Sequence, residues 1–404
     1  MKFSMVKLSY LLLAAILVAA LILLYLGTLG SDTQSFYQYG EFGTKDLLLN
    51  WACVQLFLEG KNPYDATLLL PLIELWGFAE NRPPAAWLPP WAVVLLSSVY
   101  FFDFPVVVAL WVICNLGIVC IVTLLLANVY ADREIRFVYL EIAALVFYPL
   151  WELLHWGHIG ILLSLGFAGT IWALKKGYSF AAGLFMVLLT VKFHVVYLLL
   201  TAFFLWIIKA KQWKALVGFA GGSAFLFLTA FFRSPSIFEW WFLSFFDKSG
   251  DYWMGTLVSW IRVLLIHLQG YPPKWPMILI PLSSIAVLLY VAYHRRGFRH
   301  IEKMIHVVAC VSVLTTPYAW LHDYVVLLVT QIALVCQTCN IESTKRIRTE
   351  IITSIILINL ITFVLGETYL NAFHHYFWFP GVLLFLWCRG QSLLKRTANS
   401  PTLC

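Results

Sequence analysis

The sequence predicts an all-α integral membrane protein that crosses the bilayer about 12 times. Hydrophobic residues make up 62% of its 404 residues and charged residues only 12%, about half the charged fraction of globular proteins. Apolar runs recur along the whole chain, and the alternating pattern of an outer-membrane barrel is missing. Because only helices and closed barrels satisfy their backbone in lipid, we expect these runs to be helices.

Because the apolar runs follow one another along the whole chain, we expect residues 1–404 to form a single transmembrane domain. We expect 1–30 to hold the first span, 31–104 to form an outer loop with interfacial helices, and 105–404 to hold the remaining spans. The first run is about 22 residues long, too long for the apolar region of a signal peptide, so it should remain uncleaved. The predicted spans are 8–29, 105–128, 138–150, 159–174, 179–191, 195–208, 215–232, 277–293, 304–316, 324–338, 351–365 and 377–388.

Placement of the uncharged run 85–102, which Pro89 and Pro90 interrupt, decides the topology. If this run lies in the membrane interface, most lysines and arginines fall on the cytoplasmic side, as the positive-inside rule requires. We therefore expect both chain ends inside and the loop 31–104 outside. The chain has no permitted Asn-x-Ser/Thr sequon, which favours a bacterial inner membrane. The outer face would then be periplasmic or extracellular.

This topology gathers the unusual polar residues on the outer side. A transporter would place ionisable groups near the membrane midplane, along a path open to both sides. Here they lie at the rims of one side, which favours a reaction or a binding event at the outer surface. The candidates are Asp46, Tyr64, Arg82, His158, Lys192, His194, Arg262, Trp320 and His322.

Asp46 begins a mostly apolar segment, Asp46–Leu58, which we expect to be a helix lying along the membrane. As a general base, Asp46 would accept the proton of an acceptor hydroxyl. As an N-cap, it would only stabilise its own helix, and the two roles can coexist. The residues from Asn62 through Tyr64 to Asp65 predict a turn that ends this helix.

Lys192 and His194 separate the runs 179–191 and 195–208. Such groups are costly within lipid, so we expect two short helices that meet at one membrane face. A lysine suits a phosphate as a point charge, although a lysine at a helix end can also simply snorkel to the interface. The same two alternatives, site or interface anchor, apply to Arg82 and Arg262.

Two breaks between spans add further candidates. His158 lies between glycines that allow close backbone approach, and Pro317 ends a helix just before Trp320 and His322. The neighbouring Asp323 can orient and charge His322. The spacing of these residues does not favour a metal, and we predict neither a metal nor a cofactor.

Five segments in order along the chain form a pattern: Asp46 with Gly60-Lys61-Asn62-Pro63-Tyr64, Arg82-Pro83-Pro84, Gly157-His158-Ile159-Gly160, Ala182-Gly183-Leu184 with Lys192, and Thr316-Pro317-Tyr318-Ala319-Trp320-Leu321-His322-Asp323. This pattern resembles the GT-C superfamily of membrane glycosyltransferases, and most closely glycosyltransferase family 87. The chain departs from the family pattern where Arg82 stands for tyrosine, where His158 and Gly160 stand for the glutamine and asparagine of a Gly-Gln-x-Asn motif, and where Asp323 stands for the second histidine of a His-His pair.

The resemblance implies an inverting, metal-independent transfer of a hexose or pentose, mannose-like favoured, from a polyprenyl-phosphate sugar to a lipid or glycan acceptor. Asp46 would be the general base, and positive groups such as Lys192, His194, Arg262 or His322 would stabilise the leaving phosphate electrostatically. The remaining candidates would bind substrate. The implied partners are membrane lipid, the polyprenyl-phosphate donor and the acceptor. Neither a cofactor nor nucleic acid is expected.

Two alternatives remain open at this point. A lipid-linked sugar flippase or transporter would line a path to both faces with ionisable groups, and the cytoplasmic loops show no such cluster. A polysaccharide polymerase or ligase would also use arginine and histidine on the outer face, but it would not need a carboxylate at Asp46.

Overall fold

A computed structural model describes the chain from residue 45 to 399, apart from short gaps. The described residues are 45–76, 84, 86–131, 137–247, 255–270, 274–294, 301–340, 345–368 and 376–399. They form α-helices and short 3-10 turns, and no strand occurs among them. The predicted span 8–29 and the candidate Arg82 lie outside these residues.

The described helices are numbered here in chain order. They are α1 Lys45–Leu58, α2 Ala66–Glu74, α3 Pro90–Tyr100, α4 Phe104–Tyr130, α5 Phe137–Leu145, α6 Tyr148–Trp156, α7 Ile161–Lys175, α8 Ser179–Leu189, α9 Tyr197–Lys209, α10 Trp213–Arg233, α11 Ile237–Asp247, α12 Leu257–Gln269, α13 Pro276–His294, α14 Ile301–Thr315, α15 Leu328–Asn340, α16 Lys345–Thr368 and α17 Trp378–Asn399. Two 3-10 segments, Thr190–Lys192 and Leu321–Leu327, precede α9 and α15.

Four segments of the described chain are long and apolar enough to cross a membrane. They are Phe104–Tyr130, Trp213–Arg233, Leu321–Cys339 and Arg348–Leu365. The prediction of an all-α chain with membrane-type helices is confirmed. The number of about 12 spans remains a prediction.

The structure corrects the predicted span 138–150. Two helices of nine residues, α5 and α6, replace it and are separated at Val146 and Phe147. The backbone N–H of Tyr148 donates to the side chain of Asn359 (2.9 Å), so a residue 211 positions further along the chain holds the start of α6. Pro149 follows in the first turn, where its missing N–H costs nothing.

The break around Lys192 matches the prediction. Helix α8 ends at Leu189, a 3-10 turn covers Thr190–Lys192, and α9 begins at Tyr197. The run 85–102 contains only the 11 residues of α3. That helix is about 16 Å long, well short of the ~30 Å hydrocarbon core. Its first residue is Pro90, a favourable position because the ring fixes φ for a helix.

The chain separates into two compact units, each described here by itself. Whether the chain is one functional domain remains a prediction. Unit 1 consists of Met1–Cys120, Glu152–Ile161 and Ala220–Gly250, and unit 2 of Ile121–Trp151, Leu162–Phe219 and Asp251–Cys404.

Unit 1 is built around α1, which packs against α2 and α3. The indole N–H of Trp51 donates to the carbonyl of Phe102 (2.8 Å), and the amide of Gln55 donates to the carbonyl of Tyr100 (2.6 Å). Most α1 side chains are buried by these neighbours. The apolar character of α1 therefore serves packing within the unit.

Unit 2 is centred on α14, which packs against α9 and α17. Two glycines allow α8 and α10 to approach closely. A Cβ atom on Gly183 would lie 2.0 Å from the carbonyl oxygen of Ala215, and one on Gly218 would lie 2.1 Å from the carbonyl oxygen of Phe180. These contacts hold α8, which leads directly to Lys192.

Candidate active site

Asp46 lies in the first turn of α1 and is half-buried. The positive end of the helix dipole favours a carboxylate at this position. A carboxylate oxygen of Asp46 and a ring nitrogen of His158 lie within 4.8 Å of each other. The structure thus places two of the predicted site residues together in unit 1.

His158 is held by the turn that follows α6. Gly157 ends that helix with φ +72°, a left-handed conformation that suits glycine. The backbone N–H of Gly160 donates to Nδ1 of His158 (3.1 Å), and the side chain is only 6% exposed. Because Nδ1 accepts a hydrogen bond, Nε2 carries the proton of the neutral imidazole. His158 can therefore donate to a carboxylate.

The other end of α1 is fixed by Arg233, whose guanidinium donates to the carbonyl of Leu58. A cation at this position is also favoured by the negative end of the helix dipole. The next turn contains Gly60 with φ +74°, and a Cβ atom on it would lie 3.7 Å from Nη1 of Arg233. These contacts set the position of the helix that carries Asp46.

The predicted turn after α1 is confirmed, and it gives Tyr64 a structural contact. The backbone N–H of Tyr64 donates to Oδ1 of Asn62 (3.0 Å), and Asp65 caps α2 by accepting from the backbone N–H of Thr67 (2.9 Å). The buried hydroxyl of Tyr64 donates to the carbonyl of Leu88 (2.9 Å). Burial raises the pKa of Tyr64 well above its usual value, so the hydroxyl remains a donor.

In unit 2, Lys192 and Asp323 form an ion pair. Nζ of Lys192 lies 2.8 Å from Oδ1 of Asp323, and the side chains are 17% and 0% exposed. The second carboxylate oxygen accepts the backbone N–H of Trp320 (3.0 Å). Both oxygens of Asp323 are therefore engaged, which makes Asp323 a positioning group for Lys192.

His194 packs against Tyr318, with ring centroids 4.1 Å apart and planes 30° apart. The hydroxyl of Thr316 donates to the backbone carbonyl of His194 (2.7 Å) and so joins the two breaks between helices. Burial, reinforced by the charge of Lys192 and opposed by Asp323, lowers the pKa of His194 to about 3. His194 is therefore neutral at physiological pH, and its Nε2 is a buried atom without a hydrogen-bond partner in the described chain.

The remaining candidates of unit 2 are close to the same segments. His322 is buried, and its ring stacks at 6.3 Å from that of Trp320. Arg262 is only 7% exposed, so it is not a surface anchor. Its helix, α12, starts beside this cluster, because the N–H of Gly255 donates to the carbonyl of Ala319 (3.2 Å).

The sequence reasoning missed the contacts of Tyr318 and Thr316 and the pairing of Asp323 with Lys192. All three residues belong to the Thr-Pro-Tyr segment that pointed to Trp320 and His322. That segment showed a break between helices, but it could not show which distant residues face it.

Comparison with known families now decides the class of protein. The model of "Glycosyltransferase family 87" matches residues 88–317, more than half of the chain. The chain belongs to glycosyltransferase family 87. This family 87 protein is therefore a glycosyltransferase with membrane-type helices.

The family match includes His158, Lys192, His194 and Arg262, whereas Asp46 lies before it. Tyr64, Trp320 and His322 also lie beyond its ends. No curated protein and no solved structure matches the family 87 chain significantly.

Proposed function

We propose that this enzyme transfers a hexose or pentose, mannose-like favoured, from a polyprenyl-phosphate sugar to a lipid or glycan acceptor. The reaction would take place at the outer face of a bacterial inner membrane. Besides family membership, the observation that carries the proposal is the Asp46–His158 pair in unit 1. A carboxylate at a helix N-terminus beside a buried imidazole has the chemistry of a general base.

Asp46 takes the proton of the acceptor hydroxyl while that oxygen bonds to C1 of the donor sugar. The bond between C1 and the phosphate oxygen breaks, and its electron pair leaves with the polyprenyl phosphate. A single displacement of this kind inverts the configuration at C1. The N–H on Nε2 of His158 can donate to the Asp46 carboxylate, and such a hydrogen bond would favour the ionised form that accepts the proton.

In this proposal the leaving phosphate is stabilised by the basic and polar residues that the sequence predicts for it. Lys192 brings a positive charge held in place by Asp323. Neutral His194 offers a buried ring nitrogen for a hydrogen bond, which corrects the expectation that it would contribute charge. Arg262 and His322 are further ligands in this proposal, and Trp320 contacts the sugar. Preorganised donors aimed at developing charge are usually the largest single contribution to catalysis.

The base is tested with Asp46→Asn in the purified full-length chain, supplied with labelled polyprenyl-phosphate mannose and other polyprenyl-phosphate hexoses and pentoses. We expect transfer to fall by about 10²–10⁴-fold, the usual contribution of a general base. Asp65→Asn is the matched control, because Asp65 only caps α2 and asparagine caps equally well. Full activity of Asp46→Asn, with a monodisperse protein, would refute the base and favour a polymerase or ligase.

We propose that the reaction needs no metal. A carboxylate and an imidazole are also common metal ligands, so the Asp46–His158 pair calls for a direct test of whether transfer depends on a metal. Transfer should be unchanged after treatment with EDTA and dialysis. A loss of activity that Mn²⁺ or Mg²⁺ restores would contradict a metal-independent mechanism.

A further inference from the structure

Unit 2 contains a cavity of about 370 Å³ at the end of its helices away from Lys192 and Asp323. Helix α7 shows the separation. Near its start, the hydroxyl of Ser164 donates to the carbonyl of Val325 (2.7 Å), two residues beyond Asp323. Lys175, at the other end of α7, lines the cavity. Eleven residues of helix separate the two by about 16 Å.

One wall of this cavity is polar and internally fixed. The side-chain amide of Gln391 donates to that of Gln337. Tyr130, also in the wall, shares a hydrogen bond with Nε2 of the buried His306 (2.8 Å), and Nδ1 of His306 lies 3.1 Å from the hydroxyl of Thr330. The amide and hydroxyl groups are therefore set in position before a ligand enters.

The rest of the lining is apolar and comes from residues such as Leu174 and Trp206. The exposed ammonium of Lys175 is the charged group of the lining. Further basic residues lie at the same helix ends in unit 2. They are Lys176, Lys209, Lys211, Lys214 and Arg348.

An ammonium, two side-chain amides and an apolar wall together suit a ligand that has both a phosphate and acyl chains. Phosphate oxygens accept hydrogen bonds from an ammonium and from amide N–H groups. The apolar wall fits acyl carbons, and 370 Å³ lies near the lower end of ligand pockets, enough for a headgroup and the start of its chains. Basic pockets between membrane helices on the cytoplasmic side characteristically bind anionic lipid headgroups.

We propose that this cavity is a binding site for an anionic phospholipid, separate from the residues proposed for sugar transfer. Lys175 contacts the headgroup phosphate, the Gln337–Gln391 pair binds headgroup oxygens, and the chains run along Leu174 and Trp206. The charge pattern that puts these basic helix ends in the cytoplasm puts the site in the inner leaflet.

The test uses the full-length chain in detergent with either phosphatidylglycerol or phosphatidylcholine, and native mass spectrometry to count retained lipid. Wild type should retain the anionic lipid preferentially. Lys175→Gln should lower its retention by about fivefold or more, the effect of one basic residue at an anionic headgroup. The matched control is Lys176→Gln, because Lys176 is the next residue and does not line the cavity.

Gln391→Leu keeps every charge and should also reduce retention, since it removes an amide of the wall. Monodisperse elution and unchanged helix content show that each variant is folded. Equal retention of the two lipids by wild type would overturn the proposal. So would equal losses in Lys175→Gln and Lys176→Gln, which would mean that the lysines attract lipid only as a general surface charge.

Discussion

Breaking the Lys192–Asp323 pair should separate its structural role from its role in transfer. The two charges are 2.8 Å apart, and the carboxylate is fully buried. At an effective dielectric constant of ~20 their attraction is about 6 kcal/mol, before the cost of desolvation is subtracted. Removing one partner of a buried pair typically costs about 3–5 kcal/mol, because the other charge is left uncompensated.

Lys192→Met should therefore lower the free energy of unfolding by about 3–5 kcal/mol. Asp323→Asn should cost less, because Lys192 is 17% exposed and its ammonium can reach solvent. Asparagine also keeps an oxygen for the N–H of Trp320. The double variant Lys192→Met/Asp323→Asn carries no buried charge here and should regain most of the stability lost by Lys192→Met alone.

Two measurements decide the outcome: equilibrium unfolding in mixed micelles for stability, and transfer from a polyprenyl-phosphate sugar for activity. We expect the double variant to be stable and still inactive, because the charge for the leaving phosphate is gone. If the stabilities of the single variants simply add, the ion pair is not coupled as the structure indicates. If the double variant regains activity, Lys192 is structural and does not bind phosphate.

Three further predictions test the surroundings of the site. Gly218→Ala should destabilise the protein by about 1–3 kcal/mol, because the new methyl group clashes with the neighbouring helix α8. Gly221→Ala on the same helix meets nothing within 4 Å and should gain up to ~1 kcal/mol in helix propensity, so equal unfolding midpoints of the two variants would contradict the close packing of α8 and α10. Because burial lowers the pKa of His194 to about 3, the unfolded chain takes up its proton first as pH falls below ~6.5. Stability should thus decline towards pH 3, and His194→Gln should flatten this decline in thermal midpoints measured from pH 7 to pH 4. Arg233→Met should lower kcat by up to ~100-fold, since it frees the Leu58 end of the helix that carries Asp46; Arg233→Lys should restore part of the rate, and an unchanged kcat in Arg233→Met would show that this contact does not position the base.

The helix breaks that contain charge or proline could be predicted from the sequence. Lys192 and His194 could not lie within lipid at acceptable cost, and Pro317 could not continue a helix. The break at Val146 and Phe147 was missed because those residues are apolar, although Pro149 was a local signal: it has no N–H to donate to the carbonyl of Leu145, where α5 ends. The hydrogen bond from the N–H of Tyr148 to Asn359, which holds the start of α6, could not be predicted from a local pattern.

The candidate residues were found by their chemistry, but their partners were not. Residue types predicted that Asp46 and His158 were unusual in an apolar chain, and the structure adds that they face each other. Tyr64 belongs to the Gly-Lys-Asn-Pro-Tyr segment of the family resemblance, yet its hydroxyl makes a structural hydrogen bond to the carbonyl of Leu88. A motif gives the order of residues along the chain, whereas function depends on which of them meet in space.

The departure at Asp323 has a physical consequence for the proposed phosphate site. The pattern that the sequence resembles would have a second histidine here, whereas this chain has a carboxylate that pairs with Lys192. A neutral histidine there would leave the lysine charge uncompensated, so the substitution removes one unit of positive charge from this part of unit 2. His194 is also neutral. If the proposed phosphate site is correct, we expect it to hold a phosphate less through net charge and more through directed hydrogen bonds from buried groups, which lose less strength when salt is added.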